Sequence, residues 1–332
     1  MKLWKKLLVL SSVSIFSVGM LAGCGEQQES VSSDGKSYNI GIVQLVEHNA
    51  LDSASRGFVD GMKERGYEEG KNVTYDRQNA QADQSNLQNI ATRFVNNNND
   101  LILAIATPSA QSVANATKEI PIVGTAITDY VGAKLVESNE KPGGNVTGTS
   151  DMNPISQQID LLQQLVPNAK TIGVIYTSSE VNSEVQVKAM TEYAESKGLT
   201  VKVATISTVN DIQQAAQSLV DDVDVFYEPT DNVIASAMPT LAAVTDAAKK
   251  PIICGEENMV KAGGLATYGI DYYKLGVQTG EMGADILDGK SKPADMAIQT
   301  AKELKLTVNK TNAEALGITI PEELLKDAEV VE

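Results

Sequence analysis

The chain has 332 residues, and its excess of acids over bases leaves a formal charge of −16 at pH 7. So acidic a protein argues against nucleic acid or an anionic lipid surface as a direct partner, because both are recognised through positive charge. The single histidine rules out a multi-histidine metal site, and no metal or other cofactor is expected.

The chain opens with Lys2, Lys5 and Lys6, followed by a mainly apolar run from Leu7 to Leu21 with no acid before Glu26. That run falls short of the roughly 20 apolar residues that span a bilayer, and it reads as a secretory leader. Its end, Leu21-Ala22-Gly23-Cys24, resembles a bacterial lipobox. Residues 1–23 are therefore expected to be removed and Cys24 to carry lipid; the alternative is an ordinary leader with a chance cysteine. With Cys24 modified, Cys254 has no disulfide partner. Residues 24–37, rich in Gln, Glu, Ser, Asp and Gly, have too little apolar surface to pack and read as a flexible tether. The body is thus expected outside the cytoplasm, lipid-anchored to the outer face of the bacterial cell membrane. About 300 residues remain, enough for two domains of ordinary size.

Strand-like and helix-like segments then alternate. Tyr38 to Val46 is apolar and β-branched, and Asp52 to Tyr67 has helical spacing. A second strand is expected at Asn72 to Asn79, with a helix after it whose stripe is Leu87, Ile90, Ala91, Phe94 and Val95. Leu101 to Ala106 is almost wholly apolar, as a strand buried on both faces is. A short helix from Pro108 and a strand at Pro121 to Ile127 complete the first block. The glycines of Lys141 to Thr149 read as a crossover between domains, since no strand leads into a phosphate-cradling turn. The alternation restarts with a helix at Pro154 to Val166, then Thr171 to Thr177 as strand and Glu184 to Lys197 as helix. Further strands are expected at Leu199 to Ser207, Val223 to Tyr227, Pro251 to Cys254 and Leu265 to Ile270. Their helices are Val209 to Val220, Asn232 to Lys249 and Tyr273 to Leu287. Two successive blocks of this kind predict an α/β protein with two doubly wound parallel-sheet lobes.

Ligands of such sheets gather at the carboxyl ends of the strands. At Ala106-Thr107-Pro108-Ser109-Ala110, Thr107 suits a helix cap and Pro108 the first helical position. The segment is either an ordinary capped helix or a site for a carboxylate or phosphate. In Glu228-Pro229-Thr230-Asp231-Asn232, Asp231 is either a cap or the acceptor of a ligand ammonium, with Asn232 beside it. Other strand ends supply Gln44, Glu47, His48, Thr128, Asp129, Ser178, Asn182 and Glu257. An anion site in one lobe and a cation site in the other would suit a zwitterion. His48 lacks an accompanying nucleophile motif and is read as a packing residue rather than a general base. Of the acidic pairs, Asp221-Asp222 reads as a solvated helix end, and Glu256-Glu257 offers Glu257 for ligand contact.

The motifs taken together are familiar. Gly41-Ile42-Val43-Gln44 followed by Glu47-His48-Asn49-Ala50-Leu51-Asp52, Ala106 to Gln111, Glu228 to Asn232 and Gly263 to Gly276 resemble the tryptophan/tyrosine-type solute-binding lipoproteins of bacterial ABC importers. These belong to the class I periplasmic-binding-protein fold. The resemblance implies residues 38–148 plus 271–303 as one lobe and 149–270 plus 304–332 as the other, joined by a multi-strand hinge. It implies a monomeric, non-enzymatic capture protein that hands its ligand to an ABC permease and its ATPase. The membrane would be met through the lipid alone. The ligand class it favours is an aromatic amino acid; the alternatives are a sugar, nucleoside or signalling molecule, or an extracellular enzyme using the same cleft. Expected ligand contacts are Gln44, His48, Leu51, Thr107, Ser109 and Thr128 from one lobe, and Asn182, Asp231, Asn232 and Glu257 from the other. Where the family often has proline, this chain has Asn49.

Overall fold

The structure, a computed structural model, describes residues 36–332. The expected leader, Cys24 and most of the tether lie outside the described residues. Chain order begins with β1 (Tyr38–Gln44), α1 (Asn49–Glu64), β2 (Val73–Asn79), α2 (Gln84–Asn96), β3 (Leu101–Ile105), α3 (Thr107–Ala116), β4 (Ile122–Ile127) and β5 (Val146–Ser150). The second block runs α4 (Ile155–Leu165), β6 (Thr171–Thr177), α5 (Val181–Ser196), β7 (Thr200–Ile206), α6 (Ile212–Leu219), β8 (Val225–Glu228), α7 (Asn232–Ser236), α8 (Met238–Ala247), β9 (Ile252–Cys254), α9 (Glu257–Lys261) and β10 (Ala266–Ile270). Then come α10 (Tyr272–Leu287), β11 (Gln299–Thr300), β12 (Leu304–Asn309), α11 (Lys310–Leu316), α12 (Glu322–Leu325) and β13 (Glu329–Val331).

The strands form two sheets, one ordered β11-β5-β4-β3-β1-β2 and the other β13-β12-β10-β9-β8-β6-β7. All pairs in the first sheet are parallel. β3 is buried along its whole length, as a strand covered on both faces requires. Its neighbour helix α2 starts where the Asp83 carboxylate accepts a bond from Asn86 N, and it turns Leu87, Ile90, Ala91 and Phe94 into the core. One apolar cluster fills the first lobe, and two further clusters fill the second.

Strands of both sheets run toward a shared cleft, and the chain passes between the sheets at residues 151–154, at Asp271 and at 301–303. The glycine-rich stretch read as a crossover instead leads into β5, which pairs with β4 through Ser150. This places residues 149 and 150 in the first sheet rather than the second. The second sheet departs from a purely parallel one, because β12 runs antiparallel to β10. β11 ends at the cleft, and three residues carry the chain straight into the facing sheet with no helix to turn it around. β12 must then run away from the cleft, against its neighbours. The single helix expected over 232–249 is two, broken at Ala237. Pro239 has no N–H to continue the earlier ladder.

Two elements that reach the cleft are locked together. Helices α1 and α10 approach so closely that a Cβ on Gly57 would lie 2.1 Å from the Tyr273 carbonyl oxygen, and one on Gly276 2.1 Å from that of Ala54. One turn further along, Gly61 faces Val277 and Gly280 faces Phe58 in the same way. The spacing of four keeps these glycines on one face of each helix.

Candidate functional site

The cleft is lined from the first lobe by His48, Ala50 and Leu51 at the start of α1, and by Ala126 and Thr128 at the end of β4. Asp151 and Tyr272 stand on two of the crossovers. The second lobe adds Asn182, Thr230, Asp231, Asn232, Ala235 and Glu256. The cleft between these side chains is almost shut, leaving a cavity of ≈ 10 Å³, far below the roughly 300–1,000 Å³ of a ligand-holding pocket.

The lobes touch across this space. His48 Nε2 lies 3.3 Å from Asn232 Oδ1. Asn232 Nδ2 donates to the Glu180 carboxylate, so its Oδ1 faces His48 as an acceptor and His48 Nε2 carries the proton. Burial pushes the His48 pKa down to about 4, against the opposing effects of the Asn232 bond and the Asp52 charge. A second bridge is Gln186, whose Nε2 donates to Thr230 Oγ1 at 2.6 Å and to Thr128 Oγ1 at 3.3 Å.

Carboxylates are numerous here, and most are committed to the fold. Asp231 is fully buried and accepts from Thr177 N at 2.7 Å, Thr177 Oγ1 at 2.8 Å, Ser183 Oγ at 2.8 Å and Ile234 N at 3.0 Å. Each of its oxygens receives two bonds. Glu180 accepts from the backbone N–H groups of Asn232 and Val233 and from the side-chain amides of Asn182 and Asn232. Burial raises the pKa of both acids. Glu256 caps α9, accepting from Asn258 N, Asn258 Nδ2 and Met259 N, and burial lifts it to about 7 against those bonds. Asp151 differs in kind. It accepts only from two hydroxyls, Tyr272 Oη at 2.7 Å and Thr128 Oγ1 at 3.1 Å, and burial raises its pKa against them.

Several buried polar atoms have no partner among the described residues, including Thr107 Oγ1, Ser109 Oγ, Asn153 Oδ1 and Asn182 Oδ1. Thr107 and Ser109 stand in the first turn of α3, whose N-cap is Ala106 rather than Thr107. Ala106 has φ 78° and Ala126 has φ 55°. Non-glycine residues with positive φ at the ends of two adjacent strands mark backbone strain of the kind found at functional sites.

Of the residues expected from sequence, His48, Leu51, Thr128, Asn182, Asp231 and Asn232 line the cleft. Thr107, Ser109 and Gln44 are not among the lining residues; the first two are buried in the first turn of α3, and Gln44 Nε2 donates to Val46 O at 2.9 Å and Asp52 Oδ1 at 2.7 Å, which ties the turn between β1 and α1. Glu257 turns to Lys261 at 3.1 Å, and its neighbour Glu256 faces the cleft instead. Sequence reasoning missed Asp151, Tyr272, Glu256 and Thr230. The signal for Asp151 and Tyr272 was available once crossovers were located, since a polar residue there serves both lobes. No three or more His, Cys, Asp or Glu side chains are grouped to hold a metal ion among the described residues.

Comparison with known proteins identifies similar chains. A tyrosine-binding protein of Clostridioides difficile is 46% identical over 321 residues, covering 95% of this chain and 93% of that protein. The structure of an ABC domain in complex with L-Trp from Streptococcus pneumoniae matches with a TM-score of 0.87 and 44% identity, covering 89% of this chain and 100% of that one. A ligand-free, open substrate-binding protein with adhesive properties from Clostridium difficile is 45% identical, with 89% and 99% coverage, but its TM-score is 0.68. At matching identity, this chain superposes more fully on the L-Trp complex than on the open form. The family described as ABC transporter substrate binding protein matches residues 39–332, and the chain belongs to that family.

Proposed function

We propose that this protein captures an aromatic amino acid outside the cytoplasm and delivers it to the permease of an ABC importer. The carrying observation is a closed cleft with polar groups left for a zwitterion, in a chain similar throughout to a tyrosine-binding protein and to an L-Trp complex. The unpartnered hydroxyls of Thr107 and Ser109, beside the positive end of the α3 dipole, suit a ligand carboxylate. On the cleft itself, the acceptor Asn182 Oδ1 and the Asp151 carboxylate suit an ammonium. Leu51, Ala50, Ala126 and Ala235 provide apolar wall for the ring. Lipid on Cys24 and the tether after it would hold the body beside its permease. The function is capture, without turnover.

The one tryptophan, Trp4, lies in the leader. In the mature protein, emission excited at tryptophan wavelengths therefore comes from added L-tryptophan. Capture should shift that emission to the blue and raise its anisotropy, and L-tyrosine should compete. Absence of both effects, with no thermal stabilisation by tyrosine or phenylalanine, would remove the aromatic class. Recovery of a chemically altered ligand would point to an enzyme.

A further inference from the structure

Which group holds the ligand's ammonium can be decided by counting acceptor positions. A carboxylate offers about four lone-pair sites. Asp231 has four donors on it. Glu180 is filled by amide and backbone N–H groups on both oxygens. Glu256 is occupied by the first turn of its own helix. Asp151 alone among these four receives one bond on each oxygen, and both come from hydroxyls. It is 3% exposed, and no cation shares an ion pair with it among the described residues. A buried carboxylate in that condition is costly unless a positive group joins it.

We propose that Asp151 binds the ligand ammonium and, standing on a crossover, links that contact to closure of the lobes; this deepens the aromatic-amino-acid reading and rests on it. The second observation is Asn182 Oδ1, buried and without a partner, on the same cleft. Asn182 and Asp151 line the same cleft. Gln186 Nε2 ties their surroundings together, lying 3.3 Å both from the Asn182 backbone carbonyl oxygen and from Thr128 Oγ1, and that hydroxyl donates to Asp151. An ammonium has three N–H donors and can be shared between the Asp151 carboxylate and the Asn182 amide oxygen. The linkage to closure follows from the parts. Thr128 belongs to the first lobe, Gln186 to the second, and Tyr272 to another crossover, so a charge settled on Asp151 acts where both lobes meet.

The test compares L-tryptophan with indole-3-propionate, which lacks the ammonium, on the mature protein by titration calorimetry. The wild type should prefer L-tryptophan, and Asp151→Asn should remove most of that preference while leaving the affinity for indole-3-propionate nearly unchanged. The expected loss for L-tryptophan is about 30-fold or more, in line with removal of one partner from a buried charged pair. Asp231→Asn tests the competing assignment to another carboxylate of the cleft: with Asp151 holding the ammonium, it should lower the melting temperature and the overall affinity while the preference for L-tryptophan over indole-3-propionate persists. Should Asp151→Asn fail to fold, Tyr272→Phe replaces it: losing the hydroxyl that fixes the orientation of the carboxylate should also erode the preference. A preference retained in the Asp151 variant (or in its Tyr272 replacement), or lost only in the Asp231 variant, overturns the assignment while leaving the ligand class intact. A wild type that binds none of tryptophan, tyrosine or phenylalanine overturns the ligand class, and the Asp151 assignment falls with it.

Discussion

Burial between the two lobes lowers the His48 pKa from 6.5 to about 4, so the imidazole is neutral at neutral pH and donates from Nε2 toward Asn232. An open or unfolded chain exposes the ring, which then protonates nearer its ordinary value. Between these two pKa values the exposed form binds more protons than the closed one. Closure is therefore fully supported above about pH 6.5 and is progressively lost as the pH falls toward 4. For L-tryptophan binding this predicts weaker affinity on acidification, by up to roughly 3 kcal/mol across that window. His48→Gln should flatten this part of the profile, and parallel profiles for variant and wild type would contradict the mechanism. Residues of this kind were partly legible in the sequence. His48, Asn182 and Asn232 were found because they follow strand ends, where ligands of α/β sheets gather. The role expected of Asp231 was not legible, because its four donors come from residues as distant in sequence as Thr177 and Ser183. Choosing Glu257 over Glu256 failed for a local reason: which of two adjacent side chains faces the cleft depends on which one caps α9.

At the scale of elements, the alternation of strands and helices was legible because burial on both sheet faces writes long apolar runs such as Leu101–Ile105. β5 was hidden because Val146–Ser150 is small and polar in sequence, yet entirely buried. The antiparallel β12 was equally hidden, since strand direction is set by the crossover that precedes it and not by side-chain pattern. The pairing of α1 with α10 depends on something subtler, glycines four residues apart in two distant helices. This pairing matters for the site because α1 begins beside His48 and α10 begins at Tyr272. A Cβ at position 276 would meet a backbone carbonyl at 2.1 Å, which has no rotamer to escape into. Gly276→Ala should therefore destabilise the fold by about 1–3 kcal/mol as the helices are forced apart. Urea unfolding measures this directly. Gly144→Ala is the matched control, because nothing lies within 4 Å of the added methyl, and it should leave the midpoint nearly unchanged.

For the whole molecule, affinity combines recognition within each lobe with the equilibrium between open and closed arrangements. The two contributions are separable in this structure. Gln186 is buried and makes a cross-lobe bond to Thr128, but it is not among the side chains lining the cleft. Gln186→Met keeps similar volume and removes the bonds to Thr128 and Thr230. Only the bond to Thr128 crosses between the lobes, and its loss at about 0.5–1.5 kcal/mol should weaken closure, lowering affinity for every ligand by roughly 2- to 12-fold. Selectivity among tryptophan, tyrosine and phenylalanine should stay as in the wild type, because the groups that touch the ligand are unchanged. Small-angle scattering supplies the independent readout: at saturating L-tryptophan both proteins contract, and at partial saturation the variant retains more of the open form. A variant that loses affinity for one amino acid only would place Gln186 in recognition, and one that loses none would show that its bond to Thr128 contributes nothing to closure.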